Sequence, residues 1–154
     1  MSESVLVALA RASVEAIVVG GLAVAYAGYP RFTQDIDVIV DASEANLQRL
    51  IDVLASFGDG AAAELAPDDF PLEEGAVRII EDEVIDVFTQ MTGHTYADLF
   101  PLSVVHDVDG QPVRFLSAEG LLRLKEPSLR PRDQADAAAL RAILAGLSPD
   151  PPSL

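Results

Sequence analysis

Apolar residues change their spacing several times along the chain, and each change marks an expected element. In SVLVALARA they fall at Val5, Leu6 and Leu9, the spacing of one helix face, and EAIVVG is then a short β-branched run ending at Gly20. GLAVAYAG consists of good helix formers and closes on Gly28 before Pro30, so a short helix is expected, with Gly20 and Gly21 as the strand-to-helix turn. DIDVIVD reads as a second strand. SEANLQRLIDVLASFG is the clearest helix, with Ser43 as N-cap, Leu47, Leu50, Ile51 and Leu54 on one stripe, a polar opposite face, and Gly58 after its end.

Residues 59–75 mix alanine, proline and acids and read as a long loop with one helical turn. AVRII and VIDVFT, joined by the solvated Glu81, Asp82 and Glu83, suggest an antiparallel pair, and SVVHDVDGQPVRFLS a hairpin turning at Asp109-Gly110. The rest is helical: SAEGLLRLKE, a break at Pro127 and Pro131, then RDQADAAALRAILAG ending at Gly146. Residues 1–146 are expected to form a single domain and 147–154 a frayed tail. Early alternation of helix and strand followed by hairpins predicts an α/β (α+β) domain, a short mixed sheet flanked by helices.

With 154 residues, 50% hydrophobic and 23% charged, the chain can build one ordinary core. It has no cysteine, so disulfides and thiolate chemistry are excluded and any metal must sit on oxygen or histidine. No apolar run is long enough for a membrane span and no basic segment precedes the first apolar one, so a cytoplasmic location without membrane partners is expected. A net charge of -15 opposes a broad nucleic-acid face, although Arg123, Lys125, Arg130 and Arg132 cluster closely enough to hold a small anion. His94 and His106 lack a partner at metal-ligand spacing and read as surface or structural residues.

Two acids interrupt the apolar strand DIDVIVD. Residues two apart in a strand share a face, so Asp35 and Asp37 stand side by side, roughly 6–7 Å apart at Cα, while Ile36 and Val38 turn to the core. Such a pair is costly unless a cation or proton intervenes, and a divalent magnesium with hard oxygen preference suits it. Asp86 interrupts VIDVF in the same way and completes a three-acid cluster if the strands are neighbours, enough to hold two metals. The Gly20-Gly21 turn opens a helix whose amides attract phosphate, and Arg31 and Thr33 can supply a guanidinium and a hydroxyl to the same anion.

Gly-Gly, nine residues, Arg-x-Thr-x-Asp-x-Asp and a later strand aspartate resemble the signature of the DNA polymerase beta type nucleotidyltransferase superfamily. Within it the pattern is similar to the small abortive-infection toxin and antibiotic nucleotidyltransferase branch. The resemblance implies a nucleotidyltransferase fold, with Gly20 and Gly21 on the triphosphate and Asp35 and Asp37 on two magnesium or manganese ions. Asp86 would be the third ligand and base. RLKEPSLRPRDQADAAAL is similar to that branch's lysine followed by a basic-Asp-x-x-Asp helix start, which gives Lys125 a triphosphate role and sets Arg132, Asp133 and Asp136 near the nucleotide. Gly-Gly replaces the Gly-Ser of many members, so one hydroxyl contact is missing.

The activity implied is transfer of a nucleoside monophosphate from a nucleoside triphosphate to a hydroxyl of RNA, protein or a small molecule, as in a toxin-antitoxin component with a cognate partner protein. Two alternatives stand beside it: a non-catalytic member that binds a nucleotide or partner, and an antibiotic-modifying enzyme. The acidic balance suits a cationic acceptor better than RNA.

Overall fold

The computed structural model describes residues 2–31, 33–57, 60–80 and 83–149. Gly58, positions 81–82 of the acidic turn and the last five residues of the tail lie outside the described residues. The chain runs α1 (Ser2–Arg11), β1 (Ala16–Val19), α2 (Gly20–Ala27), β2 (Asp35–Val40) and α3 (Glu44–Leu54). Two short 3-10 turns, Ala61–Glu64 and Pro67–Asp69, stand in the long loop where one helical turn is expected. β3 (Ala76–Ile80) and β4 (Val84–Phe88) follow, then a ribbon of β5 (Gln90–Met91) and β6 (His94–Thr95) and the one-turn helix α4 (Tyr96–Leu99). The hairpin β7 (Ser103–Val108) and β8 (Gln111–Leu116) leads to α5 (Ala118–Lys125) and α6 (Pro131–Leu144).

The six main strands form one mixed sheet in the order β3-β4-β2-β1-β8-β7. β1 pairs antiparallel with β2, β2 parallel with β4, and β4 antiparallel with β3, while β8 joins β1 in parallel and carries β7 antiparallel. Asp109 and Gly110 turn the last hairpin, both at positive φ, as a tight two-residue turn requires. Helices α1 and α3 pack together, and α2, α5 and α6 form a second group. Ile17, Ile36, Ile39, Leu50, Leu54, Phe115, Leu121 and Leu140 are fully buried between sheet and helices. Each such side chain contributes roughly 1.5–3 kcal/mol.

α3 begins as its sequence dictates, with the Ser43 hydroxyl accepting from the Asn46 amide at 3.3 Å. Its polar face is not wholly solvated, however. Asn46 is completely buried. Its Oδ1 accepts from the Glu15 amide at 2.8 Å, and its Nδ2 donates to the carbonyls of Glu15 at 3.0 Å and Asp41 at 2.8 Å, fastening the helix to the ends of β1 and β2. Pro131 also departs from expectation: it is the first residue of α6, where its missing N–H costs nothing, so only the segment from Glu126 to Arg130 separates the last two helices.

Candidate active site

One row of residues crosses the sheet and carries the chemistry. Val19 of β1 lies opposite Asp37 of β2, Asp37 opposite Asp86 of β4, and Asp86 opposite Arg78 of β3. Because paired residues in adjacent strands project to the same side, the parallel β2–β4 register brings Asp86 beside Asp37, and the period of two adds Asp35. Asp37 and Asp86 are direct partners across the parallel β2–β4 ladder. Burial first, then the charges of Asp86 and Asp35, raise the Asp37 carboxyl from its ordinary 3.8 to about 6, against a lowering influence from Lys125.

The row ends on a residue that the sequence reading did not single out. Arg78 donates from Nε to Asp86 Oδ1 and from Nη2 to Asp86 Oδ2, both at 2.9 Å, and Nη2 also reaches Asp35 Oδ2 at 3.2 Å. This forked pairing raises the Arg78 pKa further above its already high value, chiefly through the hydrogen bonds to Asp86. The sequence did contain a signal: a β3–β4 hairpin centred on position 82 must pair 78 with 86.

Facing the acids is the turn into α2. Gly20 has φ +70, and a Cβ there would run into the Asp37 carboxylate, so only glycine lets the turn and the acid occupy this place. A Cβ on Gly21 would lie 3.0 Å from Thr33 Oγ1 and 3.2 Å from Arg31 Nη2. Thr33 donates its hydroxyl to the carbonyl of Asp35 at 3.2 Å, bracing the start of β2.

A buried ionic network lies behind this turn. Arg31 Nη2 donates to Asp136 Oδ2 at 3.0 Å, and Lys125 Nζ pairs with Asp136 at 3.1 Å and Asp133 at 3.0 Å. Asp133 further accepts from Ser128 Oγ at 2.6 Å and Arg130 Nε at 2.9 Å. Burial opposes its ionisation, but the hydrogen bonds from Ser128 and Lys125 outweigh that and bring the carboxyl down to about 2. Among the described residues, Arg31 Nε is the one buried side-chain polar atom without a partner.

These parts line one cavity of about 850 Å³, with Gly20, Gly21, Arg31, Thr33, Asp35, Asp37, Asp86, Lys125, Arg132 and Asp133 on its wall. Asp136 is not on the wall; it holds Arg31 and Lys125 from behind. Arg130, from the basic cluster of the sequence, lies on the wall too, and Gln34, Phe88, Met91, Thr92, Leu121 and Leu124 also line the cavity and were not anticipated. Met91 comes from the β5–β6 ribbon, whose two-residue strands are too short to leave a periodic pattern.

The donor chemistry fits a hard divalent cation: three carboxylates share one sheet face, and no cation pairs directly with Asp37 among the described residues. The glycine turn beside Asp37, together with Arg31 and Lys125 on the same cavity lining, likewise fits an anion next to such a cation. Among the described residues no three acid or histidine side chains yet form a metal-holding group, and Arg78 occupies both oxygens of Asp86.

No protein-family profile matches the chain, and no curated protein matches it in sequence. Solved structures do match in fold. A Thermotoga maritima protein, TM1012, provisionally designated a nucleotidyltransferase, is similar with a TM-score of 0.56 at 18% identity, over 94% of this chain and 91% of that one. An antigenic nucleotidyltransferase-like protein from Paracoccidioides brasiliensis is similar with a TM-score of 0.55 at 16% identity, over 97% of this chain and 78% of that one. The six-stranded mixed sheet flanked by helices is thus a nucleotidyltransferase fold. Among the described residues no helix is long and apolar enough to cross a membrane.

Proposed function

We propose that the protein is a metal-dependent nucleotidyltransferase that moves a nucleoside monophosphate from a nucleoside triphosphate to a hydroxyl acceptor. The observation that carries this reading is the polarity of the cavity, whose lining combines the acids Asp35, Asp37 and Asp86 with a glycine turn, Arg31 and Lys125. A triphosphate with its divalent counter-ion has that polarity. Magnesium or manganese, two ions when fully loaded, would be held by Asp35, Asp37 and Asp86 and would polarise the α-phosphate and steady the departing oxygen. The fold likeness supports the general activity.

In this reading the amides of Gly20 and Gly21 approach the triphosphate, and Arg31 and Lys125 offset the charge that develops on the leaving pyrophosphate. Asp133 and Asp136 hold those two cations in place, and Arg132 adds charge at the rim. The acceptor oxygen bonds to the α-phosphorus as the bond to the bridging oxygen breaks, and the acceptor proton passes to Asp86. Asp86 can accept it only after Arg78 frees one of its oxygens.

The acceptor class and any toxin-antitoxin role with a cognate partner protein are the finer parts of the proposal. The charge of -15 favours a cationic small molecule or protein over RNA. A second reading, a module that only binds a nucleotide or a partner, draws on Arg78 filling the acidic wall and on the pairing of Arg31 and Lys125 with aspartates.

Incubation with each α-labelled triphosphate, magnesium or manganese and cell lysate should move label into one of RNA, protein or small molecules, and Asp35→Asn should abolish it. Metal-dependent nucleotide binding without transfer under any combination would leave the binding module as the correct reading.

A further inference from the structure

Arg78 sits on β3, the outermost strand of the sheet, with its side chain 55% exposed and its strand neighbours Ala76 and Ile80 also exposed. It can therefore leave the site by rotating into water, without disturbing the core. Its three hydrogen bonds bind two of the three acids: Asp86 is gripped through both oxygens and Asp35 through one. A guanidinium so placed supplies positive charge where a divalent ion would otherwise lie, and the same lone pairs cannot serve both.

We propose that Arg78 is a resident counter-ion that competes with divalent metal for Asp86 and Asp35, so that the acidic set assembles around metal only when Arg78 swings out. The proposal rests on the nucleotidyltransferase reading and deepens it. Arg78 is a positioning residue: it sets how much free metal is needed to load the acids, and without metal it offsets the repulsion between Asp86 and Asp35 by bonding to both. It ties loading to a ligand that brings its own metal, because a triphosphate-bound cation arrives with further contacts to the Gly20–Gly21 turn and Lys125 to offset the loss of the Arg78 bonds.

The test is calorimetric titration of the nucleotide-free protein with Mn²⁺ near neutral pH, for the wild type, Arg78→Gln and Arg78→Lys, with thermal melts of each with and without Mn²⁺. Arg78→Gln should bind Mn²⁺ about fivefold tighter or more, the low end of ordinary coupling between ligands sharing a protein. Its melting temperature without metal should fall, and the rise on adding Mn²⁺ should exceed that of the wild type. Arg78→Lys keeps a charge but cannot fork onto both oxygens of Asp86, so it should bind Mn²⁺ with intermediate strength, and it gives the answer if the Gln variant does not fold. Equal or weaker Mn²⁺ binding by the folded variants, where the wild type does bind, would reduce Arg78 to a structural ion pair and overturn the proposal alone. If no variant and no wild type bound Mn²⁺ with or without any of the four triphosphates, the nucleotidyltransferase reading would fall as well.

Discussion

Replacing Asp37 with Asn removes the one acid of the site that has no direct cationic partner among the described residues, while preserving its size. Burial, then Asp86 and Asp35, lift that carboxyl from 3.8 to about 6. The native state thus holds the proton more tightly than the unfolded chain, so the contribution of this group to stability is full below about pH 3.8 and is lost as the pH rises through about 6. At 1.36 kcal/mol per pH unit the span corresponds to about 3 kcal/mol as an upper limit. Asp37 retains some contact with water, which reduces the expected gain of Asp37→Asn to about 1–2 kcal/mol near pH 8, or roughly 2–8 °C in Tm for a chain of this size. The gain should shrink to nothing near pH 4. Asp133 has the opposite sign but acts lower: its carboxyl is held at about 2, so its contribution is present above 3.8 and lost only as the pH falls towards 2. The window between pH 4 and 8 therefore belongs to Asp37. Urea unfolding followed by circular dichroism, in chelator, at several pH values across that window measures the difference directly. A variant no more stable than the wild type near pH 8, or a gain that does not depend on pH, would refute the reasoning.

Gly20→Ala should cost about 1–2 kcal/mol from the left-handed backbone alone, and should weaken Mn²⁺ binding because its Cβ displaces the Asp37 carboxylate; unfolding and calorimetry report the two effects separately. Asn46→Ala removes three buried hydrogen bonds and should destabilise by about 3 kcal/mol in thermal or urea unfolding, far from the cavity and without changing metal affinity. Lys125 is the only lysine of the chain, so amine labelling with the N-terminus blocked reads it alone. Its ion pairs with Asp133 and Asp136 should make labelling slow, saturating triphosphate with magnesium should make it slower still, and an unchanged rate would remove Lys125 from the anion site.

What could be read ahead of the structure depended on whether a feature is local. The stripe of Leu47, Leu50, Ile51 and Leu54, the cap at Ser43 and the Asp109-Gly110 turn follow from spacings of a few residues, and the structure has them. The shared face of Asp35 and Asp37 needs only the two-residue period of a strand. Pairing Asp37 with Asp86 needs the register of two parallel strands joined by a long crossover, which no local pattern encodes; the strand acid was visible but its neighbour was conditional. Arg78 was legible in principle from the hairpin geometry, but a single arginine in AVRII resembles any solvated strand position until its partner is known. Asn46 was hidden for the opposite reason, since a polar residue on a polar face gives no sign that the backbone of Glu15 and Asp41 closes over it.

The bridge from Arg31 to Asp136 joins residues 105 positions apart. During synthesis the glycine turn, Arg31 and all three acids are in existence well before α5 and α6 are made, so an unfinished chain carries the acids without Lys125 and without the aspartate that holds Arg31. Arg31 would meanwhile lack its buried partner, and Lys125 would not yet be present. A product broken off upstream of Lys125 is expected to keep whatever affinity the acids have for metal and to lose its hold on triphosphate. On the proposed reading, nucleotide capture is in this sense acquired only once α5 and α6 have been made.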